Sequence, residues 1–268
     1  MEIYKALTIA GSDSGAGAGL QADLKTFAAL GVYGTSVVTA ITAQNTTGVT
    51  RVLETPAPVV AAQIDAVMDD IGADAVKTGM LANARIIRTV ADKIRQHGIQ
   101  RLVVDPVMVA KGGHVLLRPD AIRTLQNRLF PLAAVVTPNL PEAQALTGVE
   151  GTGVRAIKEM ARRMVDMGAR SVVVKGGHRK GTATDILYDG AAFHEYPSPR
   201  IRTRNTHGTG CTYSAALACG LARNETLETA VAEAKEFITR AIRQSYSIGA
   251  GHSPVNHFHG YGGANGLE

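Results

Sequence analysis

The chain has 268 residues, 45% hydrophobic and 4% aromatic, with no tryptophan and a net charge of +5. That composition excludes a disordered chain and leaves room for one large α/β domain or two small ones. Scattered basic residues with few aromatics argue against a nucleic-acid platform, and no apolar run reaches the ~20 residues needed to cross a bilayer, so the expected partners are small anionic ligands.

Strand-like and helix-like segments alternate along the chain. Ala6–Ala10 reads as a strand that follows a start with no signal-peptide pattern, which points to a cytosolic protein. Leu20, Leu24, Phe27 and Ala28 recur at helical spacing and stop at Gly31. Ser36–Thr42 is strand, Val59–Ile71 helix, Ala75–Lys77 strand, Ala82–Gln96 helix and Arg101–Val104 strand. Ala121–Leu129 is helix, Ala133–Val136 strand, Pro141–Leu146 and Val154–Met167 helices, and Ser171–Val174 strand. Ile186–Tyr188 and Ala192–His194 form a hairpin around Asp189-Gly190, and Thr212–Leu221 and Leu227–Ser245 are the last helices. Strands split by helices predict a mostly parallel sheet covered on both faces, in a single domain over 1–268. From Gly249 periodicity is lost, and His252, His257 and His259 fit a flexible polar terminus better than a metal site.

In such a sheet, ligands bind beyond the carboxyl ends of the strands. Gly11 to Gly19 follows the first strand and carries four glycines. A dinucleotide fingerprint fails there, because Leu20 stands where a glycine is needed and nothing acidic lies between Asp23 and Glu54. No Gly-Lys pair exists for a Walker loop. Asp23 lies near the apolar stripe of its helix, which suits either a ligand acceptor or a buried ion pair. Gln44 offers a donor and an acceptor, as an aminated heteroaromatic ring requires, or else is a plain exposed loop residue. Asn139-Leu140-Pro141-Glu142 is a helix start whose amide and carboxylate could also hold water around a hard cation, with Asp105 joining them. Lys175-Gly176-Gly177 is either a plain hairpin connection or a cover for nucleotide phosphates.

Asn205-Thr206-His207-Gly208-Thr209-Gly210-Cys211-Thr212 carries the most information. Its glycines let backbone amides turn toward one point, and the helix behind them adds its dipole and its unpaired first-turn donors. The product is an anion cradle with a thiol at its mouth, or else a glycine turn opening a core helix. Cys211 and Cys219, eight positions apart on one helix, would be ~12 Å apart and should not pair, as befits a reducing compartment.

Taken together, these segments resemble the hydroxymethylpyrimidine and phosphomethylpyrimidine kinases, of ribokinase-like fold, over nearly the whole chain. The resemblance rests on the order of Ala6 to Asp13, Gly19 to Thr26, Ala43-Gln44-Asn45-Thr46, Lys77-Thr78-Gly79-Met80, Asp105-Pro106-Val107-Met108, Thr137 to Ala143, Lys175 to His178 and Asn205 to Cys211. It implies a three-layer sandwich that transfers the ATP γ-phosphoryl to 4-amino-5-hydroxymethyl-2-methylpyrimidine and then to its monophosphate. The pyrimidine would lie near Gly11, Asp23, Gln44, Met80 and Val107. Asp105, Asn139 and Glu142 would support Mg²⁺, a monovalent cation stays open, and homodimers are usual. Cys211 stands where related sugar kinases carry Asp. Ala16 departs from the Ser-Gly-Gly-Ala-Gly usual in the first loop.

The mechanism expected has Gly208, Thr209 and Gly210 amides holding the migrating charge. Cys211, its pKa lowered by the helix end, would act as base or orient the hydroxyl. The rival readings are a pyridoxal or pyridoxine kinase and a non-catalytic pyrimidine-binding or thiol-sensing protein.

Overall fold

A computed structural model describes residues 3–108, 117, 119–178 and 181–261. Along the chain run β1 (Lys5–Asp13), α1 (Gly19–Ala29), β2 (Tyr33–Gln44), β3 (Val49–Glu54), α2 (Ala57–Asp70), β4 (Ala75–Thr78), α3 (Ala84–Gln96) and β5 (Leu102–Val104). There follow α4 (Pro119–Arg128), β6 (Val135–Val136), α5 (Leu140–Thr147), α6 (Val154–Asp166), β7 (Val172–Val174), β8 (Asp185–Tyr188), β9 (Phe193–Tyr196), α7 (Thr209–Ala222) and α8 (Leu227–Arg243). The nine strands form one sheet in the order β3-β2-β1-β4-β5-β6-β7-β8-β9. The centre is parallel, while β3, β8 and β9 join antiparallel.

The central strands are apolar on both sides, so each face needs a helical layer. Val104 packs into a cluster with Ile64, Ile87, Leu125, Leu146 and Met164 of α2 to α6. Its neighbour Val103 turns to the opposite cluster, with Phe27, Leu217 and Ile238 of α1, α7 and α8. The result is the expected three-layer α/β sandwich. From Thr212 to Ala222, α7 is buried on every side, so its half-buried first turn stands on a helix held by packing all round. Among the described residues, no helix is long and apolar enough to cross a membrane.

Three differences from the sequence reading have physical causes. Strand β3 was not expected, because five of its six residues are exposed and it carries no alternating pattern. It forms because β2 supplies a backbone partner. Helix α7 begins three residues earlier than the apolar pattern, since Gly210 and Cys211 add no periodic signal. The stretch from Gly249 is not a free tail: Gly251 and His252 donate backbone N–H groups to Thr46 Oγ1 and O at 3.2 and 2.7 Å. Val255 is buried, and His257 Nε2 lies 3.0 Å from Thr212 Oγ1. The attachment is through single backbone pairings, which leave no repeat in the sequence. Residues 262–268 lie outside the described residues.

Candidate active site

Strands β2 and β4 lie on opposite sides of β1, so the chain reverses its winding there. A crevice opens at such a reversal beyond the strand ends. At the end of β1 the Asp13 carboxylate gathers the glycine loop, accepting N–H bonds from Gly15, Gly17 and Ala18 at 2.9, 3.2 and 2.8 Å. His207 Nε2 reaches the same carboxylate at 2.8 Å. Burial works against ionisation of Asp13, but the bonds from His207 and from the amides outweigh it and hold its pKa below the usual carboxylate value.

The contact is close enough to dictate glycine. Gly208 caps α7 with φ +79°, and a Cβ there would stand 1.8 Å from Gly17 O. The starts of α1 and α7 therefore press together at one rim. Thr209 uses its N–H on Thr206 O at 3.3 Å, which corrects the expectation that it faces the migrating charge. The amides of Gly208, Gly210 and Cys211 have no acceptor among the described residues. Beneath them, a Cβ on Gly210 would lie 3.2 Å from Lys175 Nζ, so an ammonium backs the helix dipole.

Lys175 Nζ donates to Asp105 Oδ1 at 2.9 Å, and the Asp105 carboxylate also accepts from Thr137 and Ser214 hydroxyls at 3.3 and 3.2 Å. Burial alone would favour a neutral amine, but Asp105 and Glu142 keep Lys175 charged, with its pKa above the ordinary value.

Cys211 departs from expectation. The half-buried thiol is pushed up to about 11, first by desolvation and then by Asp23 and Asp105, against Lys77 and the Gly19 N–H. Burial, reinforced by Asp23 and Asp105, outweighs Lys77 and the helix end, so at neutral pH the resting state is SH, not thiolate.

Asp23 resolves in favour of the ion pair. It is fully buried, 2.7 and 2.9 Å from Lys77 Nζ, and accepts from Thr8 Oγ1 at 2.6 Å. With those partners the carboxylate is engaged below the crevice. Burial would lower the Lys77 pKa, yet Asp23, Cys211 and Asp105 overcome it and keep the amine charged.

The other expected ring-binding positions sit on the same strand ends. A Cβ on Gly11 would meet Met80 Sδ at 3.1 Å, so that glycine lets β1 and the turn after β4 close together. Val107 follows β5 in a tight turn, its N–H 2.8 Å from Asp105 O. Gln44 ends β2; its backbone N–H and C=O both engage the Ser14 hydroxyl, at 2.8 and 2.7 Å. Its carboxamide lies 3.4 Å from His207 Nε2.

Asn139 and Glu142 form the reciprocal helix cap that their spacing predicts, with bonds of 2.9 and 2.8 Å. The Glu142 carboxyl is nonetheless raised to about 7, first by burial, with Lys175 opposing and Asp105 reinforcing. Two carboxylates share one ammonium here, which leaves a buried negative surplus. That surplus suits a hard divalent cation held partly through water.

Next along the sheet edge, Gly176 does not offer its amide outward. Its N–H is bonded to Asp185 Oδ1 at 2.7 Å, and a Cβ there would strike Thr184 O at 2.0 Å. Gly177 stays open around its Cα and accepts from Arg200 Nη1 at 3.0 Å.

Sequence reasoning gave no role to Asp13, His207 or Lys77. A carboxylate ahead of a glycine loop and a histidine ahead of a glycine cap were the available signals for the first two. Lys77 left none, because its partner lies 54 positions away.

Residues 13–256 match the family described as phosphomethylpyrimidine kinase. The chain is 54% identical over 252 residues to the thiamine biosynthesis bifunctional protein ThiED of Geobacter sulfurreducens, covering 94% of this chain and about half of that protein, 51%. It is 49% identical over 260 residues to the hydroxymethylpyrimidine/phosphomethylpyrimidine kinase of Bacillus subtilis, covering 96% of each. Among solved structures, an ADP complex of Bacillus subtilis pyridoxal kinase superposes with a TM-score of 0.89 at 41% identity, covering 96% of this chain and 98% of that one.

Proposed function

The chain belongs to the phosphomethylpyrimidine kinase family, and on that premise we propose that it transfers the γ-phosphoryl group of ATP to 4-amino-5-hydroxymethyl-2-methylpyrimidine and then to the resulting monophosphate. The observation that carries this reading is one contact: Gln44 and His207 are 3.4 Å apart, so the ring-reading carboxamide and the α7 amide cradle share a rim. The ribokinase-like sandwich supplies that rim by placing both at strand ends.

In this reading Gln44 pairs with the amino-pyrimidine edge, while Gly11, Met80 and Val107 form the wall beside it. The ring hydroxyl then points at the start of α7. The amides of Gly208, Gly210 and Cys211, with the Lys175 ammonium below, stabilise the charge on the phosphoryl oxygens as the bond to the nucleotide lengthens. Cys211 as a neutral thiol orients the hydroxyl; a loose transition state needs little proton transfer before the phosphoryl arrives. Asp105 keeps Lys175 aimed at the cradle. Asn139 and Glu142, through water, with Asp105, are the residues that would hold Mg²⁺, whose charge screens the nucleotide oxygens. Lys175 and Gly177 border the nucleotide side.

The likeness to a pyridoxal kinase favours one second reading, phosphorylation of pyridoxal or pyridoxine by the same machinery. A product assay by mass, with ATP, Mg²⁺ and each alcohol separately, decides between them. The pyrimidine alcohol should be converted to mono- and diphosphate, whereas conversion of pyridoxine alone would overturn the first reading. We also read the protein as a cytosolic homodimer. Ile41 and Leu53 face each other across β2 and β3 and are 54% and 68% exposed, an apolar edge suited to self-association. Light scattering at low micromolar concentration checks it.

A further inference from the structure

The His207 ring is fixed from several sides. Its backbone N–H donates to Ser253 O at 3.1 Å, its backbone C=O accepts from Val255 N–H at 3.4 Å, and a Cβ on Gly17 would collide with the ring at 2.3 Å. The ring nitrogen Nε2 then touches two groups, Asp13 Oδ2 at 2.8 Å and Gln44 Nε2 at 3.4 Å. A carboxylate can only accept, so the short contact fixes a hydrogen on Nε2 whatever the charge of the ring. A second donor facing that N–H would be repelled, so the Gln44 oxygen belongs on the His207 side.

Thr42 gives the same answer independently. Its hydroxyl lies 2.8 Å from Ser12 O and 3.2 Å from Gln44 Oε1, two acceptors for one hydrogen. With the hydroxyl hydrogen on Ser12 O, the Thr42 oxygen offers a lone pair, which calls for the Gln44 NH₂ on that side. The structure sets Gln44 Nε2 toward His207 and Oε1 toward Thr42; a half-turn about the last side-chain bond exchanges the two, and the exchanged setting is the one that satisfies His207 and Thr42 together.

We propose that His207, held by Asp13, is a specificity-determining positioning residue: it sets which edge of the Gln44 carboxamide is donor and which is acceptor. The one free hydrogen and one free lone pair of Gln44 are then presented in a fixed order. That order fits an exocyclic amine beside a ring nitrogen and disfavours a pyridine alcohol that lacks the pair. The inference rests on the pyrimidine-kinase reading, but the state of the imidazole can be judged without it.

The test compares wild type, His207→Gln and His207→Leu. Glutamine keeps a side-chain N–H where His207 has Nε2–H; leucine does not. The ratio of kcat/KM for the aminopyrimidine alcohol to that for pyridoxine should fall roughly tenfold or more in His207→Leu and stay within about threefold in His207→Gln. A purely structural residue would lower both substrates together. An unchanged ratio in His207→Leu, or equal losses in both variants, overturns the proposal. Long-range ¹⁵N–¹H spectra of the ligand-free wild type supply a second measurement and should show His207 protonated at Nε2. A ring protonated only at Nδ1 overturns the proposal as well. If wild type phosphorylates neither alcohol, the functional reading fails and the spectra alone decide this one.

Discussion

Asp13 and His207 lie 194 positions apart in the chain and 2.8 Å apart in the fold. Through that contact the loop opening α1 is tied to the turn opening α7. Removing the carboxylate strands three loop amides and a buried imidazole. Asp13→Ala should therefore lower stability by about 3 kcal/mol, read from urea unfolding. Because the Asp13 pKa is held below its ordinary value, its contribution is complete above the unfolded value near 4 and is lost as pH falls through the lower folded value. The acid limb of the wild-type stability curve should thus be steeper than that of Asp13→Ala. Parallel limbs would show that the contact contributes nothing.

Cys211, raised to about 11, should behave as a slow nucleophile at neutral pH. Alkylation by iodoacetamide, followed by mass, should speed up about tenfold per pH unit from 7 to 10 with no plateau. Levelling off below pH 9 would mean that the thiolate forms early. Cys211→Ala should lose about tenfold in kcat, below the 10²–10⁴-fold typical of a general base.

Glu142 titrates in the opposite sense from Asp13. Its folded value of about 7 lies above the unfolded 4.5, so between those values the unfolded chain has released a proton that the folded chain retains. Stability of the ligand-free protein should fall as pH rises from 4.5 to 7, by roughly 2–3 kcal/mol. Glu142→Gln keeps an oxygen for the helix cap and should flatten that slope in chemical denaturation.

Ala16 adopts φ +57°, a conformation costly for any residue with a Cβ. Its N–H is held by Asp13 O at 2.8 Å and its C=O by Lys25 Nζ at 2.8 Å, so the backbone cannot relax. Ala16→Gly relieves ~1–2 kcal/mol of strain and gives back ~0.4–1 kcal/mol as unfolded-chain freedom. A net gain of about 0.5–1 kcal/mol should appear as a higher Tm. A drop in Tm would mean that the methyl group packs usefully.

Much of the layout was readable in advance because it follows from local pattern. Buried parallel strands read as apolar runs, α3 and α6 show helical spacing, and the Asn139/Glu142 cap is written within four residues. The order of the strand-end loops named residues that the fold brings to one end of the sheet, Gln44 beside His207 among them. What stayed hidden depends on distant partners. The Lys77–Asp23 pair joins positions 54 apart, and neither residue signals its counterion. The state of the Cys211 thiol stays hidden because a helix start is visible in sequence, whereas burial first, and then Asp23 and Asp105, act on it only in three dimensions. Strand β3 escaped because an exposed edge strand needs no hydrophobic rhythm.

The attachment of Gly251 and His252 to Thr46 spans 205 positions. Gln44, two residues before Thr46, is made early in synthesis, while the segment that braces it, and that also brackets His207, emerges from the ribosome far later. A growing chain can assemble its sheet long before this clasp exists. The loop after Gln44 and the turn that carries His207 are thus braced last, after every strand of the sheet has been made.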